Sequence, residues 1–347
     1  MIEPDLYTEV PDAGNLHRTA LLREVEALLA SRQRLAERNR SDYFNPDESS
    51  ATAYEASLVG YREKLIELMG WPLRGESGEG VPSSREEFVA EDSLGRISRM
   101  WIEVLPGVNL YGLFFCPQGE GPHPFVIAQH GGQGTPELAS GFFGSANYNN
   151  MIRRILKRGY AVFAPQLILW NTEKYGPDHQ KLILDKKFKQ VGGSMAALQI
   201  YELKRALDYF SAREDIDADR IGMVGLSYGG FYTLFTSALD TRIKVVVSSG
   251  FFNDRTMYPF DDWVWFDVAN HFTDPEVASM VCPRPLFLEV GREDALFDVN
   301  HARPLVDAIS KRYQALNRAE HFEYHEHPGV HEFNKSDEGL EFLCRYL

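Results

Sequence analysis

The sequence contains few cysteines and no long apolar run. Its three cysteines, Cys116, Cys282 and Cys344, form no CxxC pair, which argues against a zinc or redox motif of that kind and for reduced, mostly buried thiols. No segment reaches the roughly 18 apolar residues of a membrane-spanning helix. The acidic N-terminus, MIEPDLYTEVPDAG, lacks the apolar stretch of a secretion signal. We therefore expect a cytoplasmic protein without a membrane partner.

Positive charge is also scarce. The 347 residues include 36 Lys and Arg against 50 Asp and Glu, a formal net charge of −14. Because phosphate binding requires cations, this balance argues against nucleic acid and favours a small, neutral or weakly polar partner. A hydrophobic content of 44% is that of a folded globular protein, and the length allows a substantial core.

The chain divides by pattern into a helical N-terminal part and a region of alternating strands and helices. Apolar residues recur at helical spacing over residues 15–40 and again over 54–68, and the linker GESGEGVPSS follows. We predict an N-terminal helical extension with its linker over residues 1–92. Residues 93–347 are predicted to form one α/β domain with a doubly wound, mostly parallel sheet, because buried strands alternate there with helices.

A GxSxG motif, GLSYGG, follows the apolar strand pattern RIGMVG and opens the helix pattern GGFYTLFTSALD. The motif alone is a weak signal, since a glycine-rich turn with an idle serine would look the same. The strand-turn-helix context, however, is that of a nucleophile elbow, where glycines let strand and helix approach and a strained serine projects its hydroxyl. The sequence therefore predicts Ser227 as a nucleophile.

A serine nucleophile needs a base and a carboxylate that orients the base. In elbow enzymes both follow the serine along the chain, the acid after a later strand. The strand pattern PLFLEVG is followed by Asp294, which we predict to be the acid. Glu293, Asp298 and Asp254 are alternatives.

The base is predicted from the histidine-rich stretch HFEYHEHPGVHEFN. His331 follows the break PGV beyond a strand, the position that the base requires, and His327 is the alternative. His321, His325 and His327 share one strand face with Glu323, which allows a zinc hypothesis. Side chains two apart on a flat strand diverge, however, and familiar Cys or Asp ligands are absent nearby, so no metal or other cofactor is predicted.

Hydrolysis by a serine also needs two N–H groups to hold the oxyanion. The residue after the nucleophile, Tyr228, supplies one. The second is predicted in the loop of VIAQHGGQG, from Gly132 or alternatively Gln133, with the neighbouring His130 as a substrate-binding candidate. The simpler alternative for this stretch is an ordinary turn.

The motifs HGG, GLSYGG, GREDALF and GVHEF, in this order, resemble those of the α/β-hydrolase superfamily. Within it, residues 93–347 are similar to dienelactone hydrolase-like and acetyl xylan esterase-like carboxylesterases. The resemblance implies the fold and a Ser-His-Asp triad. Dienelactone hydrolases use cysteine where this chain has serine, which argues against dienelactone as the substrate, and HGGQG departs from the HGGG of lipases.

An aromatic-rich insertion at about residues 251–280 separates two predicted strands. Trp263 and Trp265 within it are substrate-binding candidates, as part of a lid or pocket wall, although core packing explains aromatic residues equally well. The N-terminal helices could cap the site, pack on the sheet or form a dimer seam. The oligomeric state is therefore open, with a homo-oligomer among the alternatives.

These features together predict a serine carboxylesterase that acts on a small-molecule ester. The resemblance implies short, acetyl-type esters of carbohydrates or small alcohols, hydrolysed through an acyl-enzyme. One alternative is a serine peptidase or amidase of prolyl-oligopeptidase type, because the SYGG sequence is similar there. A second alternative is a noncatalytic binding protein on the same fold.

Overall fold

The computed structural model of the chain describes residues 6–258 and 260–347. It divides into two compact units. The smaller contains the chain up to Asn45 together with Asp267–Phe272, and the larger contains Pro46–Phe266 and Thr273–Leu347. The larger unit contains the sheet and every predicted site residue.

Within the described ranges the chain forms nine strands and eleven α-helices. The strands are β1 (Ser84–Asp92), β2 (Gly95–Leu105), β3 (Val108–Cys116), β4 (His123–Gln129), β5 (Ala161–Pro165), β6 (Ile216–Leu226), β7 (Val245–Ser249), β8 (Leu286–Gly291) and β9 (Phe322–His327). The helices are α1 (Asn15–Tyr43), α2 (Ala51–Met69), α3 (Pro136–Ala139), α4 (Met151–Leu156), α5 (Thr172–Tyr175), α6 (Lys181–Gln190), α7 (Met195–Phe210), α8 (Tyr228–Leu239), α9 (Asp274–Ser279), α10 (Val299–Ala315) and α11 (Glu338–Tyr346).

The strands of the described chain form one sheet in the order β1-β2-β3-β5-β4-β6-β7-β8-β9. Strands β1, β2, β3 and β5 pair antiparallel, and the run from β5 through β4, β6, β7 and β8 to β9 is parallel. The carboxyl ends of β4, β6, β7, β8 and β9 therefore meet at one edge, where the loops that follow them can build a common site. The predicted doubly wound, mostly parallel sheet is confirmed.

Helices cover both faces of the sheet, because neighbouring strand residues point in opposite directions. On β3, Phe115 joins a buried cluster that includes residues of α4 and α11. Phe114 points the other way, and its ring centroid lies 5.1 Å from that of Phe210 on α7. Phe210 also stacks on Phe125 of β4 at 4.5 Å. Burial on both faces explains why the central strands are almost uninterrupted apolar runs.

The smaller unit is built around α1. Near the end of this helix, Asn39 bonds the side chain of Asn270 at 2.8 Å, and Arg40 donates to the carbonyl oxygen of Ala269 at 2.8 Å. The ring of Tyr43 packs edge-on against His271 at 4.7 Å. These contacts join the helix to the short segment 267–272 within this unit. None of the helices in the described ranges combines the length and apolarity that crossing a bilayer requires.

The predicted strands and helices lie where the sequence pattern places them, and the structure adds strand β1 and helices α3, α5, α6 and α9. Strand β1 lies within the predicted extension and pairs with β2, and it has no apolar alternation because all but two of its residues are exposed. Helix α6 carries exposed Leu182 and Ile183, so its apolar spacing gives little sign of a helix. The three cysteines are free, but Cys116 is half-buried and Cys344 exposed, so the expectation of mostly buried thiols is wrong and holds for Cys282 alone. The boundary at residue 92 stays a prediction.

Candidate active site

Ser227 lies at the junction of β6 and α8, where the backbone is strained. Its φ of 61° and ψ of −120° lie in a region that residues other than glycine rarely adopt. Glycine is required on both sides, because a Cβ on Gly225 would collide with the carbonyl of Gly229, and one on Gly229 with the carbonyl of Gln129. The Ser227 N–H donates to the carbonyl of Ser249 on β7 at 2.8 Å. The predicted elbow is therefore present.

Asp294 and His331 meet from the loops that follow β8 and β9. Asp294 Oδ2 lies 2.7 Å from His331 Nδ1, and Oδ1 accepts the N–H groups of Leu296 at 2.8 Å and Phe297 at 3.0 Å. The carboxylate is fully buried, whereas the imidazole is 18% exposed. The carboxylate therefore accepts the Nδ1 proton, and Nε2 is the nitrogen left to act as a base.

The alternative acids and the alternative base lie elsewhere. Glu293 is exposed, Asp298 caps α10 by accepting the N–H of Asn300, and Asp254 accepts the N–H and hydroxyl of Thr256. Within the described chain, Asp294 is the carboxylate hydrogen-bonded to His331. His327 is buried on β9.

Ser227 and His331 line one cavity of about 320 Å³. One side is polar and contains Gly132 and Gln133, from the loop after β4, and Tyr228. Tyr228 is the first residue of α8, so its backbone N–H belongs to a helix turn whose donors have no acceptor within the helix. The apolar part of the lining is formed by Phe260, Trp263, Leu296 and Phe297. The predicted oxyanion residues thus share the cavity with the predicted nucleophile and base.

His130 is not among the described residues that line this cavity. Its ring is 1% exposed. Nδ1 lies 2.7 Å from the carbonyl oxygen of Gly131, and Nε2 accepts the N–H of Leu167 at 3.0 Å. Burial lowers the pKa of His130 to about 4, so the ring is neutral near pH 7. Both nitrogens are engaged, and His130 ties the oxyanion loop to the loop after β5 instead of facing the cavity.

The two tryptophans of the insertion separate in the structure. Trp263 lines the cavity and packs on Tyr228, with ring centroids 4.6 Å apart. Trp265 lies in the core, where it packs against Phe235 at 6.0 Å. Of the two tryptophans, one therefore lines the cavity and the other belongs to the core.

A buried charged group that sequence reasoning missed lies behind Tyr228. The Tyr228 hydroxyl donates to Asp262 Oδ1 at 3.0 Å, and Asp262 Oδ2 lies 3.0 Å from Lys181 Nζ. The Lys181 and Asp262 side chains are 1% and 0% exposed. Burial lowers the pKa of Lys181, although the charge of Asp262 opposes the shift. No motif marks this pair, because its members come from α6 and the insertion, far apart in the chain.

The histidines considered for zinc are spread along and beside β9. His321 Nδ1 lies 2.8 Å from the carbonyl oxygen of Pro283, and His325 packs near Phe287 with ring centroids 6.2 Å apart. Among the residues that the structure describes, no three His, Cys, Asp or Glu side chains come together in a way that could hold a metal ion. These histidines pack against surrounding residues.

Comparison with known proteins gives a family match over more than half of the chain. Residues 138–340 match the model of the dienelactone hydrolase family. YtaP of Bacillus subtilis (strain 168), provisionally named a hydrolase, is 32% identical over 274 residues, which are 74% of this chain and 86% of YtaP. The family match includes the serine elbow and the strand before the acid.

Solved structures and a peptidase relative also match. A Bacteroides fragilis protein, provisionally named an acetyl xylan esterase, superposes with a TM-score of 0.66 at 16% identity, covering 99% of this chain and 91% of that protein. This likeness shows the fold. YuxL of Bacillus subtilis (strain 168), named an uncharacterized peptidase, is 25% identical over 66% of this chain but only 32% of its own length.

Proposed function

The chain belongs to the dienelactone hydrolase family, and from that membership we propose that it is a serine carboxylesterase that removes short acyl groups, such as acetyl, from carbohydrates or small alcohols. The observation that carries the proposal is that His331, hydrogen-bonded to the buried Asp294, lines the same cavity as the strained Ser227. A noncatalytic binding protein on this fold does not require an Asp-His pair beside a strained serine, and a glycine-rich turn with an idle serine does not require it either.

In the proposed reaction, Ser227 Oγ attacks the ester carbonyl while His331 Nε2 takes its proton. Asp294 holds the ring by its Nδ1 proton and stabilises the imidazolium that forms. The N–H of Tyr228 and that of Gly132, or alternatively Gln133, bind the oxyanion. His331 then gives the proton to the leaving alcohol, which leaves an acyl-enzyme on Ser227. In the second half, His331 takes a proton from the attacking water and gives it to Ser227 as the acid is released.

The acyl length is proposed from the apolar part of the cavity lining. Phe260, Trp263 and Phe297 form it, and Trp263 and Phe297 are buried. A cavity of about 320 Å³ shared between acyl and alcohol parts suits a short acyl group better than a long one. The name of the Bacteroides fragilis protein supports an acetyl ester of a carbohydrate.

The experiment that tests this proposal is an ester panel graded by acyl length, measured on the wild type and on Ser227→Ala. We expect kcat to fall by roughly 10⁴-fold or more in Ser227→Ala, because the nucleophile is lost. Ser249→Ala is the matched control, since that buried hydroxyl has no hydrogen-bond partner within the described residues, and it should retain activity. Full activity of Ser227→Ala would refute the mechanism.

The peptidase alternative is favoured by one observation, the partial match to YuxL. A comparison of p-nitrophenyl acetate with aminoacyl p-nitroanilides separates the two, and a preference for the anilides would overturn the esterase proposal. Failure of Ser227 to react with a fluorophosphonate would favour the noncatalytic alternative. The cytoplasmic location remains a prediction from the sequence, and a homo-oligomer remains one alternative for the oligomeric state.

A further inference from the structure

A second cleft lies near the catalytic cavity, with an intermediate cavity adjoining both. We call it the aromatic cleft and define it by Tyr111, Glu137, Phe143, Gln166, Trp170 and Tyr175; its volume is about 400 Å³. The intermediate cavity, of about 430 Å³, shares Gly132, Gln133 and Asn147 with the catalytic cavity and Phe143 and Tyr175 with the aromatic cleft. A molecule whose ester carbonyl lies at Ser227 can therefore extend along the oxyanion loop into the aromatic cleft.

The aromatic rings of this cleft are held in place while still open to solvent. The Trp170 indole N–H donates to the carbonyl of Pro177 at 3.1 Å, and its ring packs edge-on against His179 at 5.2 Å. The backbone of Trp170 also pairs with that of Gln133 in a parallel bridge. Phe143 is 55% exposed and lies 5.6 Å from the ring of Tyr175. An exposed phenylalanine in the same cleft as a fixed indole is an apolar surface prepared for a ligand.

The floor of the same cleft carries unused hydrogen-bond acceptors. Glu137 Oε1 accepts the hydroxyl of Tyr111, and its second carboxylate oxygen has no partner among the described residues. Gln166 donates through its amide nitrogen to the carbonyl of Leu167 at 2.6 Å. Its amide oxygen has no hydrogen-bond partner among the described residues and is left as an acceptor. These acceptors match a ligand that carries hydroxyl donors.

We propose that the aromatic cleft is a subsite for a neutral sugar ring in the alcohol part of the ester, with the ring faces of Trp170 and Tyr175 against the sugar C–H groups and with Glu137 and Gln166 accepting its hydroxyls. The ester role of this subsite rests on the proposed function. The negative face of an aromatic ring attracts the weakly positive C–H groups of a pyranose, and a carboxylate at the edge of the stack binds sugar hydroxyls.

Two other ligand classes fit less well. An alkyl chain would cover the Glu137 carboxylate without giving it a hydrogen bond, which costs free energy. A cationic alcohol of the choline type would use the aromatic rings, but it would have to pass Lys174, which lines the intermediate cavity. A neutral polyol with apolar faces satisfies both the rings and the acceptors.

The test has a kinetic arm and a binding arm. In the kinetic arm, Trp170→Ala and Phe143→Ala should lower the ratio of kcat/KM for acetylated xylotetraose to that for p-nitrophenyl acetate by roughly tenfold or more, mainly through KM. Phe88→Ala, which removes an exposed aromatic ring on β1, is the matched control and should leave the ratio unchanged. Because Phe143 is exposed, its variant keeps the test valid even where Trp170→Ala folds poorly.

In the binding arm, unacetylated xylotetraose, cellotetraose and mannotetraose are titrated by calorimetry into Ser227→Ala, with and without Trp170→Ala. We expect at least one of them to bind, and the added Trp170→Ala to raise its Kd by roughly tenfold or more. Binding without any esterase activity of the wild type would leave the subsite standing and refute the proposed function. Esterase activity with no binding and no change in the ratio, or a preference for acetylcholine over the sugar esters, would overturn the subsite.

Discussion

The Asp294 carboxylate uses its two oxygens for different tasks. One accepts two backbone N–H groups, and the other accepts the Nδ1 proton of His331. Because the side chain is fully buried, water cannot compete for either oxygen. This arrangement sets the orientation of the imidazole and the identity of its protonated nitrogen.

Asp294→Asn should therefore lower kcat by about 10³ to 10⁴-fold, because an amide can favour the wrong tautomer of His331. Asp298→Asn is the matched control, since asparagine also caps helices and Asp298 serves as the N-cap of α10. Steady-state kinetics with a short ester measures both variants. An equal loss in Asp298→Asn would contradict the assignment of Asp294 as the acid.

His130 shows how a residue next to a motif can differ from its apparent role. Its position beside two glycines favours a substrate-binding interpretation, but its ring is buried and bonds to Gly131 and Leu167. The direction of a side chain depends on which backbone groups surround it, and one of these, the N–H of Leu167, comes from the loop after β5. The local sequence contains no such information.

At the scale of elements, the aromatic insertion is anchored to two helices. Asp262, in a short 3₁₀ turn, accepts the hydroxyl of Tyr228 on α8 and pairs with Lys181 on α6. Trp263, the next residue, packs on Phe231 of α8 at 5.0 Å. The insertion is thus held as a wall of the cavity by buried contacts on two sides.

Breaking this buried pair should be costly. Lys181→Met should lower the free energy of unfolding by about 3 to 5 kcal/mol, because it leaves Asp262 buried and unpaired, and adding Asp262→Leu should recover part of the loss. Lys311→Met is the matched control, because the Lys311–Asp307 pair is mostly exposed and should contribute no more than about 1 kcal/mol. Urea unfolding of the four proteins gives the values, and equal losses in Lys181→Met and Lys311→Met would contradict the argument.

At the scale of the whole molecule, charge sets how stability depends on pH. Hydrogen bonds from arginines lower the pKa of several carboxyls, so the stability they add is present above their unfolded pKa values and is lost as the pH falls through the folded ones. These pairs are Asp215 with Arg213, Asp217 with Arg220, and Glu326 with Arg303. Burial acts in the opposite sense on Glu202 and raises its pKa to about 8.

The raised pKa of Glu202 makes a specific prediction for the pH range between its unfolded and folded pKa values. The folded protein keeps Glu202 protonated below about pH 8, whereas the unfolded chain ionises it near 4.5, so stability should fall as the pH rises through this window. Glu202→Gln should remove most of that decline and leave the profile below the unfolded pKa unchanged. Thermal unfolding from pH 4 to 9 measures it, and parallel profiles for the two proteins would refute the shift.

Local sequence patterns are enough to predict the order of the main strands and helices and the three central residues of the candidate site. Uninterrupted apolar strands between helices specify a sheet covered on both faces, and the chain order of Ser227, Asp294 and His331 then places all three at one edge. Their separation along the chain is irrelevant because parallel strands bring their carboxyl ends together. This is why the local patterns were sufficient for those residues.

Which side chains face the cavity, and which partners they contact, depends on the tertiary packing of the chain. Trp263 reaches the cavity while Trp265 enters the core, the Lys181–Asp262 pair joins α6 to the insertion, and the aromatic cleft combines β3 with the loops after β4 and β5. Each depends on contacts between segments that are distant in the chain. Hydrophobic periodicity indicates which face of a segment is buried, but it does not indicate which neighbouring segment covers that face. These features are therefore seen only in the packed chain.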